Sequence, residues 1–343
     1  PGRRVLMAAA RQFWVGSYTS SMGGSSEGIG AVLVSDGSLE FAGVAAEVSS
    51  PSFLANGIVP GLVYATDESN GRVEAFRRTA DTTLEPLGGQ VTTGASGASP
   101  CHISVTADRL YVANYGSGAV DVFPVLADGA IGPLETSFAG IGRGPHPAQE
   151  GPHAHATLVI ESTVAGRTIL SADLGSDQIH VHRLVDDELA RVSSASLPPG
   201  TGPRDFAVAP DGRIFVLGEL SGAIIEIDGD GRMLRSGQAV ASPVAGDHLA
   251  ALAIDAAGVY LYTGLRGSNR IAVVDSRTLT PVVDLPCGGE WPRHLVLSGD
   301  LVHVANERSS TIATFRIDPA TGIPEQFGPA VDVPTPTYLL AVA

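Results

Sequence analysis

The 343-residue sequence predicts an all-β fold, a seven-bladed β-propeller that occupies residues 12–343 as one domain. Three observations carry this. First, an apolar strand ending in a small and a polar residue, followed closely by a second β-rich run, occurs seven times: FWVGS (13–17), LVYATD (62–67), LYVANYGSGAVDVF (110–123), ILSADLGSDQIHVH (169–182), IFVLGELSGAIIEI (214–227), YLYTGLRGSNRIAVV (260–274) and VHVANERSSTIATF (302–315). Taking Gly16, Ala65, Ala113, Ala172, Gly218, Gly264 and Ala305 as equivalent gives spacings of 49, 48, 59, 46, 46 and 41. Second, a short phrase precedes the later copies: SPSFLAN (50–56), SPCHISV (99–105), GPHAHATLV (151–159), GPRDFAVA (202–209), GDHLAALAI (246–254) and WPRHLVL (291–297). Third, one more such phrase, TPTYLLAV (335–342), stands at the end with no partner after it.

Each element follows from local chemistry. The PxxLxV phrase is strand A, with Pro at its start because Pro cannot donate to a ladder. LYVAN-type runs are strand B, xVxVF runs are strand C, and a more polar strand D follows. Turns such as ADGAIGPL (127–134), DGDGRML (228–234) and DPATGIP (318–324) join C to D. The first blade begins at strand B, so the unpartnered 336–342 segment is expected to supply its strand A and close the ring, removing free sheet edges. The longest insertion, 135–152, lies between blades three and four and is expected to cover one end of the channel or to run over the surface.

Bulk properties exclude several functions. The formal charge is −15, with 36 acidic residues against 21 Lys and Arg, which opposes binding to nucleic acid or an anionic membrane. Cys101 and Cys287 are too few for a disulfide framework and are expected to be reduced. Residues 1–11 are basic but have no long apolar stretch, so they are expected to be a disordered leader, not a signal peptide. No run of 18 apolar residues exists. A cytoplasmic monomer is expected. There is no P-loop, nucleophile elbow or dinucleotide fingerprint, and no cofactor is expected.

The candidate site comes from the repeat. Strands A and B are antiparallel, so the start of A and the end of B meet at one mouth of the channel. The A phrases place Ser52, Cys101, His102, His153, His155, Arg204, Asp205, His248, Arg293, His294 and Tyr338 there. The B ends add Asp67, Asn114, Asp173, Glu219, Arg266 and Asn306. Three guanidinium groups beside imidazoles and carboxylates suit catalysis on an anionic or polar small molecule, although such groups also hydrogen-bond blade to blade. His180, His182 and His303 read as strand-face residues. The His153/His155 pair could share an ion, because side chains at i and i+2 of a strand point the same way, but no third ligand follows and Arg neighbours repel a cation. No metal is expected, with calcium on the acid and amide residues the minor alternative.

These motifs in this order, PCHISV, ANYGSGAV, QEGPHAH, ADLGSD, GTGPR, GEL, YTGLRGSN, WPRHLVL and VANE, resemble the seven-bladed propeller lactonase family, which includes propeller-type 6-phosphogluconolactonase and 3-carboxy-cis,cis-muconate lactonizing enzyme. The resemblance covers nearly all of residues 12–342. It implies a catalytic set of His153 or His155, Arg204, Glu219 and Arg266; the remaining candidates, His102, Asn114, Gln149, Asp173, Arg293, His294 and Asn306, are expected to bind the substrate. Two departures remove positive charge near that site: Asp205 where the family often has His, and Ala148 where it often has Arg. The implied reaction is hydrolysis of a sugar lactone by activated water. Glu219 or a histidine would serve as base, and Arg204 with Arg266 as anion clamp. The alternatives are a carboxymuconate cycloisomerase, which needs similar groups, and a non-enzymatic scaffold. An aromatic content of 6% offers little for a scaffold's outer rim.

Overall fold

The computed structural model describes residues 11–94, 98–162, 166–186 and 188–342. The leader expected over residues 1–11 lies outside these except for Arg11, which is exposed. The described strands form seven antiparallel sheets, and their innermost strands touch one another in a closed ring around a channel. From blade one to blade seven these A strands are Pro336–Ala341, Leu54–Asn56, Pro100–Val105, Ala154–Ser162, Pro203–Val208, His248–Ile254 and Pro292–Ser298. The B strands outside them are Gln12–Ser17, Leu62–Asp67, Arg109–Asn114, Gly166–Asp173, Ile214–Gly218, Tyr260–Arg266 and Leu301–Asn306.

The ring closes as its unpaired final phrase requires. Pro336–Ala341 pairs with Gln12–Ser17, with Trp14 opposite Leu340 and Gly16 opposite Tyr338. Blade one thus joins the two ends of the described chain in one sheet. The core lies between blades, where alternate residues of facing sheets interdigitate. Between blades one and two, Trp14, Ile29, Val63 and Phe76 are buried together. Between blades five and six, Phe215, Leu217, Ile224, Leu261 and Val274 do the same. No single blade covers both its faces, so stability belongs to the ring.

Two expectations need correction. The insertion starts later than 135, because Thr136–Phe138 alternates as a strand and pairs with Val120–Val122 as strand D of blade three. The strand ends are also not aligned as the small residues suggest. Pairing to strand A makes Gly16, Thr66, Ala113, Ala172, Leu217, Thr263 and Ala305 equivalent. Ala65, Gly218 and Gly264 are therefore each one residue out of register.

Removing residues 336–343 should expose the B strand of blade one and the Trp14 cluster together. The expected outcome is loss of the cooperative calorimetric unfolding transition. A truncated protein that melts with the full-length midpoint and enthalpy would contradict this closure.

Candidate active site

Each A strand begins with an irregularity that builds the site. In six blades the A–B register slips by one residue, leaving Thr337, Cys101, His155, Arg204, Ala251 and Arg293 unpaired in the ladder. A β-bulge of this kind turns an additional side chain toward the concave side. In blade two, Thr66 N–H bonds to Phe53 O, which puts Ser52 at the equivalent place. These seven residues all line one pocket in the channel mouth, joined from behind by Phe53, His102, Asp205, His294 and Tyr338. The pocket and its open mouth enclose about 450 Å³ of empty space.

The chain enters these strands through a tight turn. Ser50, Ser99, Gly202, Trp291 and Thr335, each just before a Pro, adopt φ between 37° and 64°. This explains the Ser and Gly of the phrase, since left-handed backbone disfavours bulky and branched side chains. Trp291 adopts it nonetheless and carries the guanidinium groups of Arg308 and Arg266 near its indole face, 3.4 and 5.6 Å from the ring centroid.

A second ring comes from the residue after each B strand. The N–H groups of Tyr18, Glu68, Tyr115, Leu174, Glu219 and Glu307 bond to the carbonyls of Thr335, Ser50, Ser99, His153, Gly202 and Trp291. These residues stand beside the strand starts and meet the bulge residues. Arg204 donates to Glu219 at 2.5 Å, and Arg266 pairs with the other Glu219 oxygen at 2.6 Å. His248 Nδ1 lies 3.4 Å from Glu219. Across the mouth, Arg293 donates to Glu307 at 3.1 Å and to the Tyr18 hydroxyl at 2.5 Å, and the hydroxyl lies 3.3 Å from Glu68. Arg204 and Arg293, from blades five and seven, are thus each held by a largely buried carboxylate.

The expected site residues divide into two groups. His102, His155, Arg204, Arg293 and His294 line the pocket. Glu219 and Arg266 stand directly behind Arg204. His153 lies before its strand, stacked on Tyr115 at 4.4 Å with Nδ1 2.8 Å from the Tyr115 carbonyl, and does not line the pocket. The other expected binding residues do not line it either. Asn114 donates to Asp121, Asn306 donates to the Cys287 carbonyl, and Asp173 accepts from the N–H groups of His153, Gly175 and Ser176. Gln149 donates to Leu174 O and to Asp177, pinning the long loop. The reason is position: Asn114, Asp173 and Asn306 pair with strand A just past the bulge, whereas Glu219 and Arg266 lie one and two residues beyond Gly218 and Gly264, which hold that place in blades five and six. The reading from sequence therefore missed Tyr18, Glu68, Tyr115 and Glu307, whose signal is the residue following each VAN-type phrase.

The loop over residues 139–153 lies at the mouth, with the His146 ring 6.4 Å from that of His248 in blade six. His180, His182 and His303 bond to Ser194, Ser171 and Thr314 within their sheets, as strand-face residues. Among the described residues no group of three His, Cys, Asp or Glu side chains is arranged to hold a metal.

Electrostatics fixes protonation states. Burial opposes ionisation of Glu219, but Arg266 and Arg204 outweigh it and hold the carboxyl well below its usual range. Burial, reinforced by Arg204, keeps His155 well below the usual imidazole range and hence neutral. Burial lowers His102 and His294 to about 3. It also pushes the Cys101 thiol up, so Cys101 is not a thiolate nucleophile. Burial lowers Arg266 to about 10, which leaves it charged at neutral pH.

A closed seven-bladed ring whose mouth is lined by arginines and histidines, with glutamates behind the arginines, is the architecture of a propeller enzyme. The sequence matches the family described as lactonase, 7-bladed beta-propeller, over residues 12–341, and the chain belongs to that family. It is 30% identical to the 6-phosphogluconolactonase of Bacillus subtilis, covering 94% of this chain and 96% of the relative. Among solved structures, a candidate 6-phosphogluconolactonase from Bacteroides fragilis superimposes with a TM-score of 0.86 at 26% identity, covering 99% of both chains. The periplasmic gluconolactonase of Pseudomonas aeruginosa superimposes with a TM-score of 0.83 at 28% identity, covering 97% of this chain and 99% of that one.

Stability should follow the buried histidines. His102 and His294 titrate near 3 in the folded state and near 6.5 unfolded, so the unfolded chain binds more protons between those values. Stability is then fully present above about pH 6.5 and falls as pH drops toward 3. Glu219, depressed by its arginines, adds a loss of the same sign below the ordinary carboxylate range. Urea midpoints measured from pH 8 to pH 4 should decline, and a His102→Phe/His294→Phe double variant should flatten the slope. An unchanged slope in that variant would contradict the assignment.

Proposed function

We propose that the pocket hydrolyses the lactone of a polyhydroxylated acid, with Arg204, Arg293 and His155 acting on the reacting atoms. The observation that carries this is convergence: the guanidinium groups of Arg204, buried, and Arg293, largely buried, come from non-adjacent blades to share a pocket with a neutral imidazole. Ester opening needs a proton acceptor for water and donors for the developing oxyanion. Water attacks the lactone carbonyl carbon and His155 takes its proton. Arg204 and Arg293 hold the carbonyl oxygen as it becomes an oxyanion. Collapse then breaks the ring C–O bond, and the proton on His155 passes to the departing alkoxide, leaving a hydroxy acid. The family names associated with the relatives, 6-phosphogluconolactonase and gluconolactonase, support a gluconic-acid lactone, with or without phosphate.

The roles differ from those implied by the resemblance. Glu219 is bonded to Arg204 and Arg266 and does not line the pocket, so it serves as a positioning residue for Arg204. Arg266 donates to Glu219 and to the carbonyls of His248 and Leu249, and it backs this arrangement from outside the pocket. Glu307 and Tyr18 position Arg293 in the same way. The exposed large apolar side chains are aliphatic or Met, scattered over the described surface, which gives a scaffold reading no aromatic patch to use. No described helix is long and apolar enough to cross a membrane. Residence in the cytoplasm as a monomer is part of this proposal; both cysteines are free.

Hydrolysis of D-glucono-1,5-lactone followed by pH-stat tests the assignment. Arg204→Ala and Arg293→Ala should each lower kcat roughly 100- to 1,000-fold, the range for removing an oxyanion donor. Glu219→Gln should cost less, about tenfold, because it loosens an arginine without removing it. Full activity in Arg204→Ala would refute the clamp. Treatment with EDTA should leave the rate unchanged, and loss restored by calcium would reassign the enzyme as a metal lactonase.

A further inference from the structure

Five pocket residues lie behind the bulge ring and form a floor of a different character. Phe53, His102, Tyr338 and His294 come from neighbouring blades, with ring centroids 4.3 Å (Phe53–His102), 4.2 Å (Phe53–Tyr338) and 4.0 Å (His294–Tyr338) apart. Asp205 faces them from blade five. Below the floor the channel wall becomes largely apolar, with Leu54, Ile103, Leu158, Phe206, Ile254 and Leu295.

The floor's hydrogen-bonding capacity follows from its backbone contacts. Leu339 N–H donates to His294 Nδ1 at 3.1 Å, and Thr157 N–H approaches His102 Nδ1 at 3.4 Å. An Nδ1 that accepts leaves the hydrogen of a neutral imidazole on Nε2. Among the described residues neither Nε2 has a protein partner, and neither is among the fully buried unpaired atoms, so both are donors open to the channel. Asp205 supplies the acceptors. Its oxygens take one N–H each, from Phe206 at 2.8 Å and from Leu252 at 2.9 Å, leaving further lone pairs. It has no ion-pair partner within 4 Å among the described residues, and the pocket's guanidinium groups are bound to Glu219, Glu307 and Tyr18.

We propose that His102, His294 and Asp205 form a hydroxyl-recognition subsite that takes the uncharged polyol part of the substrate. This rests on the lactonase reading above. A hydroxyl both donates and accepts, so it matches two N–H donors facing a carboxylate. A phosphate or carboxylate does not, because the imidazoles carry no charge and Asp205 repels an anion. The substrate is therefore oriented with its hydroxyls on the floor and its carbonyl toward Arg204 and Arg293, and any anionic group is kept off the floor, toward the open mouth.

The experiment compares kcat/KM for D-glucono-1,5-lactone with that for δ-valerolactone, which has the same ring without hydroxyls. The wild type should favour the hydroxylated ring at least tenfold. Asp205→Asn and His294→Phe should each shrink that ratio about tenfold, the size of a lost hydrogen bond. Equal turnover of both lactones by the wild type, or an unchanged ratio in folded, active variants, would overturn the subsite while leaving the lactonase reading intact. Calorimetric binding of D-gluconolactam and δ-valerolactam to the wild type separates the two claims. At least tenfold tighter binding of gluconolactam would support the floor, and if no lactone is turned over the floor stands while the reaction falls. Equal affinities would sink the floor.

Discussion

The site depends on one local distortion repeated around the ring, the unpaired residue near the start of each inner strand. A regular strand would point alternate side chains into the neighbouring blades. The slip in register instead leaves Thr337, Cys101, His155, Arg204, Ala251 and Arg293 aimed at the channel. Because the blades share this slip, residues far apart in sequence meet in one small pocket. Chemistry then depends on what each blade places there. Blades four, five and seven supply imidazole and guanidinium groups, and the others supply small side chains that leave room for a ligand.

A second constraint makes those arginines usable. Burying a guanidinium is costly unless a carboxylate meets it in good geometry. Glu219 and Glu307 come from the residue after the B strand, which hydrogen bonds to the backbone ahead of the A strand hold in place. Each charged pair is thus fixed by main-chain bonds at both partners. Such preorganisation suits a site that must stabilise a charge appearing during reaction. The same burial keeps the imidazoles neutral, so the pocket combines fixed cations at its mouth with uncharged donors at its floor.

Much of this was legible in the sequence. The repeated phrases gave the blade count, and the orphan TPTYLLAV gave the closure, because period and turn chemistry are local properties. Arg204, His155, Arg293, His102 and His294 were found because they follow the start of a phrase at a near-constant offset. What failed was alignment within a strand by one residue. Ala65, Gly218 and Gly264 resemble the small residues of other blades but stand one position off, Ala65 before the equivalent place and Gly218 and Gly264 after it, and nothing short of the register between strands reveals that. That misalignment placed Asn114, Asp173 and Asn306 in the same ring as Glu219, whereas they bond to Asp121, to backbone N–H groups and to the Cys287 carbonyl. It also hid Tyr18, Glu68 and Glu307. The bulges themselves leave no residue signature, since Cys, His, Arg, Ala and Thr all occupy them.

The central claim is that the bulge ring is where the lactone reacts. The most direct measurement is a crystal structure with D-gluconolactam, a stable analogue of the lactone, bound at saturating concentration. The account predicts its carbonyl oxygen within hydrogen-bonding distance of the Arg204 and Arg293 guanidinium groups and its carbonyl carbon facing His155. A lactam seated at the opposite end of the channel, or at the mouth with no contact to either arginine, would contradict it.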